Sequence, residues 1–205
     1  MSHLRTELRQ RAEEIVALYP SRRSAMLPLL HLAQEQDGYL TDEAMAEVAE
    51  LTGTTPAEVR GTASFYDMFH LEPVGRYVVG VCTNIACLLR GGEELLEHAS
   101  SVLGCAVGGT SADGLFTLEE TECLADCGHA PCVTVNHRYV RTTTPEAFDA
   151  MIDEVRQGRR DHEIPDHGTL VRVRRNGGLR VPDEVIAAER AAAKAARARR
   201  LEGAG

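Results

Sequence analysis

The spacing of apolar residues changes near residue 72, and this change divides the chain into two patterned segments. In the first seventy residues, apolar side chains recur at helical spacing between clear breaks, with no strand-like run among them. The segment from Arg22 to Gln36 predicts a helix that Gly38 ends. A second helix is predicted to begin at Thr41 or Asp42 and to end before Gly53.

A third helix has the clearest start signal in the chain. Thr55, Pro56 and Glu58 occupy the cap, first and third positions of a capping box, in which Thr55 and Glu58 satisfy each other's exposed backbone donors. We therefore predict that residues 1–72 form an N-terminal helical module.

From residue 73 onward, short apolar runs alternate with helical segments. Two helices are predicted, from Glu93 to Leu103 and from a cap at Thr144 to about Arg156. The strand candidates are Arg76–Val81, Cys105–Val107, Leu115–Leu118, Cys132–Val135 and Arg138–Arg141, the last pairing back after a turn at Asn136 and His137. Residues 73–157 are thus predicted to form a compact α/β domain with about one βαβ unit.

Charge separates the end of the chain from the rest. The formal net charge is -9, yet residues 168–205 contain nine Lys or Arg against four Asp or Glu, a local net charge of +5 that leaves -14 for the remainder. We expect residues 158–205 to be an extended tail whose basic part, 168–205, strengthens association with a partner. The acidic remainder, with nine aromatic residues and no Trp, argues against a nucleic-acid ligand. No apolar run predicts a membrane span.

Four of the six cysteines form two close pairs, Cys82 with Cys87 in CTNIAC and Cys123 with Cys127 in CLADC. The chain begins with a densely charged segment and not with an apolar secretory one, so we expect a reducing compartment in which thiols are ligands, nucleophiles or core residues. Each pair follows a strand-like run, and the two loops are expected to meet. Four thiolates suit a tetrahedral zinc ion or an iron-sulfur cluster.

The spacing of the cysteines favours some of these alternatives but does not exclude the others. Structural zinc usually uses tighter CxxC pairs in small domains, so zinc ranks second. The cysteine spacing of a bacterial ferredoxin-type [4Fe-4S] site is missing from the sequence. A plant-type [2Fe-2S] site needs its third cysteine at position 90, which is Arg90. A Rieske centre needs two histidine ligands, and the first cysteine pair offers none to match His129. An all-cysteine [2Fe-2S] cluster held by two separated pairs is favoured, and a redox disulfide remains the alternative that needs only one pair.

The other two cysteines, Cys105 and Cys132, begin strand-like runs and are predicted to be small buried apolar residues. Because Cys132 lies close to Cys127 in the chain, a role as a ligand or a reserve thiol stays open for it.

The cysteine spacing together with its flanking residues resembles the thioredoxin-like [2Fe-2S] subunit of NADH:quinone oxidoreductases, respiratory complex I. The similarity rests on CTNIACLLRGGEELLE and DGLFTLEETECLADCGHAP around the pairs, and on GTASFYDMF and YPSRRSAMLPLLHLAQEQDGYL upstream. It covers about residues 10–157, and it implies a thioredoxin-like domain after the helical module. One departure is Cys132, where the family often has Met or Val after Ala-Pro.

The resemblance implies that Cys82, Cys87, Cys123 and Cys127 bind one [2Fe-2S] cluster in an electron-transfer subunit. It also implies a larger flavoprotein partner that carries NADH, FMN and an iron-sulfur cluster, in a complex at the inner face of the cell membrane. The equivalent diaphorase subunit of an NAD-linked hydrogenase or formate dehydrogenase is the first alternative, and a zinc-stabilised interaction module is a more remote one. No glycine-rich nucleotide motif follows a strand, so no nucleotide site is assigned to this chain.

Overall fold

The computed structural model describes residues 3–141 and 144–164. Four α-helices come first, and a mixed α/β arrangement follows them. The helices are α1 (Thr6–Ala17), α2 (Met26–Asp37), α3 (Asp42–Thr52), α4 (Pro56–Phe65), α5 (Ile85–Leu88), α6 (Gly92–Leu103) and α7 (Pro145–Arg156). The strands are β1 (Tyr77–Cys82), β2 (Phe116–Thr121), β3 (Val133–Val135) and β4 (Arg138–Val140).

The first four helices share one hydrophobic core, which draws its buried side chains from Leu4 to Phe69. The sequence-predicted caps form as expected. Thr41 Oγ1 accepts a hydrogen bond from Ala44 N at the start of α3, and both hydrogen bonds of the Thr55–Glu58 capping box are present at α4. The predicted helix over 22–36 instead begins with a 3₁₀ turn, Arg22–Ala25, before α2.

The four strands form one sheet in the order β2-β1-β3-β4. The neighbours β1 and β2 are parallel, and α5 and α6 connect them, which confirms the predicted βαβ unit. The pairs β1–β3 and β3–β4 are antiparallel. Side chains from the sheet, α6 and α7 make a second core that includes Tyr77, Phe116 and Phe148. The predicted α/β class is therefore confirmed.

The strand predicted at Cys105–Val107 is wrong. These residues form a turn-rich loop after α6, and Gly104 and Gly108 both adopt positive φ values, 70° and 78°. The chain runs alongside β2 only afterwards, through a hydrogen bond from Gly108 N to Leu118 O and an isolated bridge between Thr110 and Thr117. A three-residue apolar run is too short to fix which residues pair with β2.

After α7 the chain continues as turns to Ile164, whose side chain is buried in the second core. Tyr77 Oη donates a hydrogen bond of 2.8 Å to Asp161 Oδ1, which ties this segment to β1. The basic segment 168–205 lies outside the described residues. Among the helices of the described part, none combines the length and the apolar character that a membrane crossing requires.

Candidate metal centre

The parallel pairing of β1 with β2 brings the two cysteine pairs together. Cys82 is the last residue of β1 and lies opposite Thr121, the last residue of β2, two residues before Cys123. Because neighbouring parallel strands end at the same edge of a sheet, the loops that follow them meet there. All four predicted ligands line one recess of about 40 Å³.

The first pair is buried and lies on a short, well-fixed loop. Asn84 Oδ1 accepts a hydrogen bond of 3.1 Å from Ile85 N, and Cys87 N donates to Asn84 O at 2.7 Å, so α5 begins directly at the pair. Gly92 allows the following turn to pack closely, because a Cβ atom there would lie 2.8 Å from Cys82 O and 2.9 Å from Cys87 O. Cys82 and Cys87 consequently have fixed positions at the floor of the recess.

The second pair lies on an exposed loop that a neighbouring strand holds in place. Cys123 and Cys127 are both exposed, and Ala125 between them adopts a positive φ of 59°. Tyr139 Oη, from β4, donates a hydrogen bond to Leu124 O. Arg141 Nη1, just after β4, binds Asp126 Oδ2 at 3.1 Å. Strand β4 and the residue that follows it thus orient the loop even though its cysteines face solvent.

Two side-chain hydrogen bonds connect the first cysteine loop with the end of β2. Thr83 Oγ1 donates to Glu120 Oε1 at 2.6 Å, and Asn84 Nδ2 donates to Glu122 Oε2 at 3.2 Å. These contacts hold the two cysteine-bearing segments in one arrangement.

Burial favours the protonated thiol at Cys87 and at Cys132 when no metal is bound. Loss of solvent is the main reason that the pKa of the Cys87 thiol rises to about 12, and burial also raises the pKa of Cys132. Cysteine binds metals as the thiolate, so occupation of the recess releases protons.

Charges at the rim partly compensate one another. The pKa of Asp126 is lowered mainly by a hydrogen bond with the His129 ring, whose Nδ1 lies 2.8 Å from Asp126 Oδ1. The positive charge of Arg141 lowers it further. Asp126 therefore remains a carboxylate, and its negative charge is balanced locally by Arg141.

The two remaining cysteines differ from each other. Cys105 lies in the loop after α6, so its predicted place in a strand is wrong, and it is only partly buried, packed against the second core. Cys132 is buried as predicted, with 4% of its surface exposed, but it lines the same recess as the four predicted ligands. The pairing of β1 with β3 places Cys132 in the recess. In the sequence, only the short distance between Cys132 and Cys127 indicates this position.

The residues present fit a two-iron cluster. Within residues 3–141 and 144–164, no group of three or more His, Cys, Asp or Glu side chains is already arranged as a metal site. The donor set nonetheless matches an all-cysteine [2Fe-2S] centre, which takes two thiolates on each iron, because the chain supplies four thiols in two pairs around one recess. The backbone N–H of Cys132 also points at Cys87 Sγ, at 3.4 Å, as in sites where N–H groups stabilise cluster sulfur. When bound, such a cluster supplies one-electron redox chemistry.

Comparison with known proteins finds similar NADH-quinone oxidoreductase subunits. An NADH-quinone oxidoreductase subunit of Mycobacterium tuberculosis is 44% identical over 145 residues, which cover 71% of this chain and 58% of the relative. The chain thus matches little more than half the length of the mycobacterial protein. NADH-quinone oxidoreductase subunit 2 of Thermus thermophilus is 41% identical over 155 residues, which cover 74% of this chain and 86% of that protein.

Part of a solved hydrogenase structure has a similar fold. A crystal structure of NAD⁺-reducing [NiFe]-hydrogenase in the air-oxidized state matches with a TM-score of 0.57 and 26% identity, over 68% of this chain and 24% of the hydrogenase chain.

The family model of the thioredoxin-like [2Fe-2S] ferredoxins matches residues 12–156, which run from within α1 through both cysteine pairs to the end of α7. With this match and relatives above 40% identity, the chain belongs to the thioredoxin-like [2Fe-2S] ferredoxin family.

Proposed function

We propose that this chain is the iron-sulfur electron-transfer subunit of the NADH-oxidising module of an NADH:quinone oxidoreductase. The observation that carries the proposal is the meeting of two cysteine pairs, at the ends of parallel strands β1 and β2, in one recess. The similarity to the mycobacterial and Thermus NADH-quinone oxidoreductase proteins supports the choice of parent complex.

Cys82, Cys87, Cys123 and Cys127 hold one [2Fe-2S] cluster in this proposal. Cys82 and Cys87 bind from the buried side, whereas Cys123 and Cys127 bind from the exposed side, where an electron can pass to a partner. The partner is a larger flavoprotein that binds NADH and FMN, and the assembled complex is attached to the inner face of the cell membrane through other proteins.

Anaerobic reconstitution with iron and sulfide tests the cluster assignment. We expect a brown protein with two irons and two sulfides per chain, and a reduced form with the electron paramagnetic resonance signal of a single [2Fe-2S] centre. Cys123→Ala removes an exposed ligand and should abolish iron uptake. Cys105→Ala is the matched control, because Cys105 lies outside the recess and should leave uptake unchanged. A colourless protein with one bound zinc would overturn the assignment.

A second candidate is the equivalent diaphorase subunit of an NAD-linked hydrogenase, which the structural similarity to NAD⁺-reducing [NiFe]-hydrogenase favours. Affinity purification of the tagged chain from its native cells separates the two. A complex that reduces quinone with NADH supports the first proposal, and one that reduces NAD⁺ with hydrogen supports the second.

A further inference from the structure

Cys132 is a fifth thiol in the recess, and its backbone is fixed against the first cysteine pair. Cys82 N donates a hydrogen bond of 3.0 Å to Cys132 O, and Cys132 N donates to Cys87 Sγ at 3.4 Å. Cys132 thus lies beside both buried cysteines through contacts that extend the pairing of β1 with β3.

Cys132 also contacts both cysteine-bearing segments. Its Sγ–H donates to the backbone oxygen of Asp126, next to Cys127, at 3.1 Å. On the other side, Cys87 Sγ accepts the hydrogen bond from Cys132 N, and both thiols line the same recess. An additional soft donor atom therefore stands next to a proposed ligand, inside the site.

A residue that only filled space here would need volume and apolar character, which Val or Ala supplies. The thiol adds a sulfur that can become a thiolate, which is the donor that iron-sulfur centres require. Because the backbone of Cys132 already contacts Cys87 Sγ and both thiols line one recess, exchange between these two positions requires little movement of the chain.

On the basis of the proposed function, we propose that Cys132 is a reserve ligand that takes the place of Cys87 in the cluster site. In this exchange the bond from Cys87 sulfur to iron breaks and that thiolate takes up a proton from water, while the Cys132 thiol gives its proton to water and its sulfur bonds the same iron. In a variant without a thiol at position 87, only the second half of the exchange occurs. The number of thiolate ligands stays at four, and no electron is transferred. The exchange therefore needs no oxidant or reductant.

Iron content in a double-mutant cycle tests this proposal. After anaerobic reconstitution, Cys87→Ala should retain two irons per chain with a shifted electron paramagnetic resonance spectrum. Cys132→Ala should lower iron content about tenfold more in the Cys87→Ala background than in the wild-type background, because only the former depends on the reserve ligand. Cys123→Ala is the matched control, and it should lose the cluster whether or not Cys132 is present.

Equal iron content in Cys87→Ala and in Cys87→Ala/Cys132→Ala would overturn the proposal. If wild-type protein loads a cluster in the same experiment, the proposed function survives that outcome; if it does not, both fail. Should Cys87→Ala not fold, Cys87→Ser provides the same comparison. Cys87→Ser should show resonance Raman bands of four iron–thiolate bonds, and Cys87→Ser/Cys132→Ala should not; identical bands in the two variants would refute the exchange.

Discussion

Asn136 shows how one buried side chain can hold two strands together. It begins the turn between β3 and β4, where Asn136 and His137 adopt positive φ values of 46° and 60°. Its Oδ1 accepts a hydrogen bond of 2.7 Å from Val78 N, and its Nδ2 donates to Arg76 O at 3.0 Å. Only 1% of its surface is exposed, so water cannot replace these bonds.

We expect Asn136→Ala to lower the free energy of unfolding by about 2–4 kcal/mol, because Val78 N–H and Arg76 C=O lose a buried partner and Ala is strained at positive φ. Urea denaturation measures the change. Asn136→Gly is the control, since it loses both hydrogen bonds but accepts the backbone conformation. If Asn136→Gly were as stable as wild type, the hydrogen bonds would contribute nothing.

His70 is a second residue whose burial has a measurable consequence. It lies between the helical module and the sheet, 9% exposed, with its Nδ1 3.6 Å from Glu119 Oε1. Burial is the main cause that lowers the pKa of His70 to about 4, and nearby His137 acts in the same direction, whereas Asp67 opposes it. Burial also raises the pKa of Glu119.

The lowered pKa of His70 predicts that the protein loses stability in mild acid, whereas the raised pKa of Glu119 acts in the opposite direction. The unfolded chain binds a proton on His70 with an ordinary pKa near 6.5, so between pH 6.5 and 4 it takes up more protons than the folded chain. The contribution of His70 to the free energy of unfolding is therefore fully present above pH 6.5 and is lost as the pH falls toward 4. This loss is about 1–3 kcal/mol after allowance for the contact of His70 with Glu119.

Urea denaturation at pH 7 and pH 5 measures this loss, and His70→Gln should reduce the difference between the two pH values. The exposed His162→Gln is the control and should leave the difference as in wild type. An unchanged pH dependence in His70→Gln would contradict the assignment.

At the scale of elements, the helix starts could be predicted because their signals are local. The caps at Thr41, Thr55 and Thr144 all accept the expected backbone hydrogen bond, since a cap and its partner lie within three residues. The two strands that precede the cysteine pairs could also be predicted from short apolar runs, although β2 continues to Thr121, beyond its predicted end at Leu118. The place of Cys132 could not, because it depends on the long-range pairing of β1 with β3.

The close approach of the α5–α6 connection to the end of β1 gives an element-scale prediction. In Gly92→Ala, the added Cβ would meet backbone atoms of Cys82 and Cys87 below 3 Å, and backbone cannot move as a flexible side chain can. We expect a loss of about 1–3 kcal/mol in stability and reduced iron uptake, measured by urea denaturation and iron analysis.

Gly61→Ala is the matched control for this substitution. Gly61 lies in α4 on the surface with no atom within 4 Å of an added Cβ, so Ala should raise stability by about 0.5–1 kcal/mol and leave iron uptake unchanged. Normal iron uptake in Gly92→Ala would show that close packing at this point is not needed for the site.

At the scale of the whole molecule, we expect the two larger hydrophobic cores to respond differently to the proposed cluster. One core lies among α1–α4, and the other lies between the sheet, α6 and α7. All four proposed ligands belong to the second segment of the chain, at the end of β1 and in the stretches that follow β1 and β2. Cys82 and Cys87 form a small third cluster with Ala130 and Cys132. A ligand that binds only the folded state stabilises the part of the structure that forms its site.

Removal of iron should therefore loosen the recess while leaving the helical module protected. We expect the iron-free protein to unfold about 5–10 °C lower, and hydrogen exchange to increase at 82–89 and 121–133 but not in α2 or α3. Mass spectrometry of loaded and iron-free protein measures the exchange, and Cys123→Ala, which cannot be loaded, should match the iron-free pattern under both conditions. Equal increases in both cores would mean that they unfold as one unit, because the cluster would then stabilise the helices as strongly as the strands that hold it.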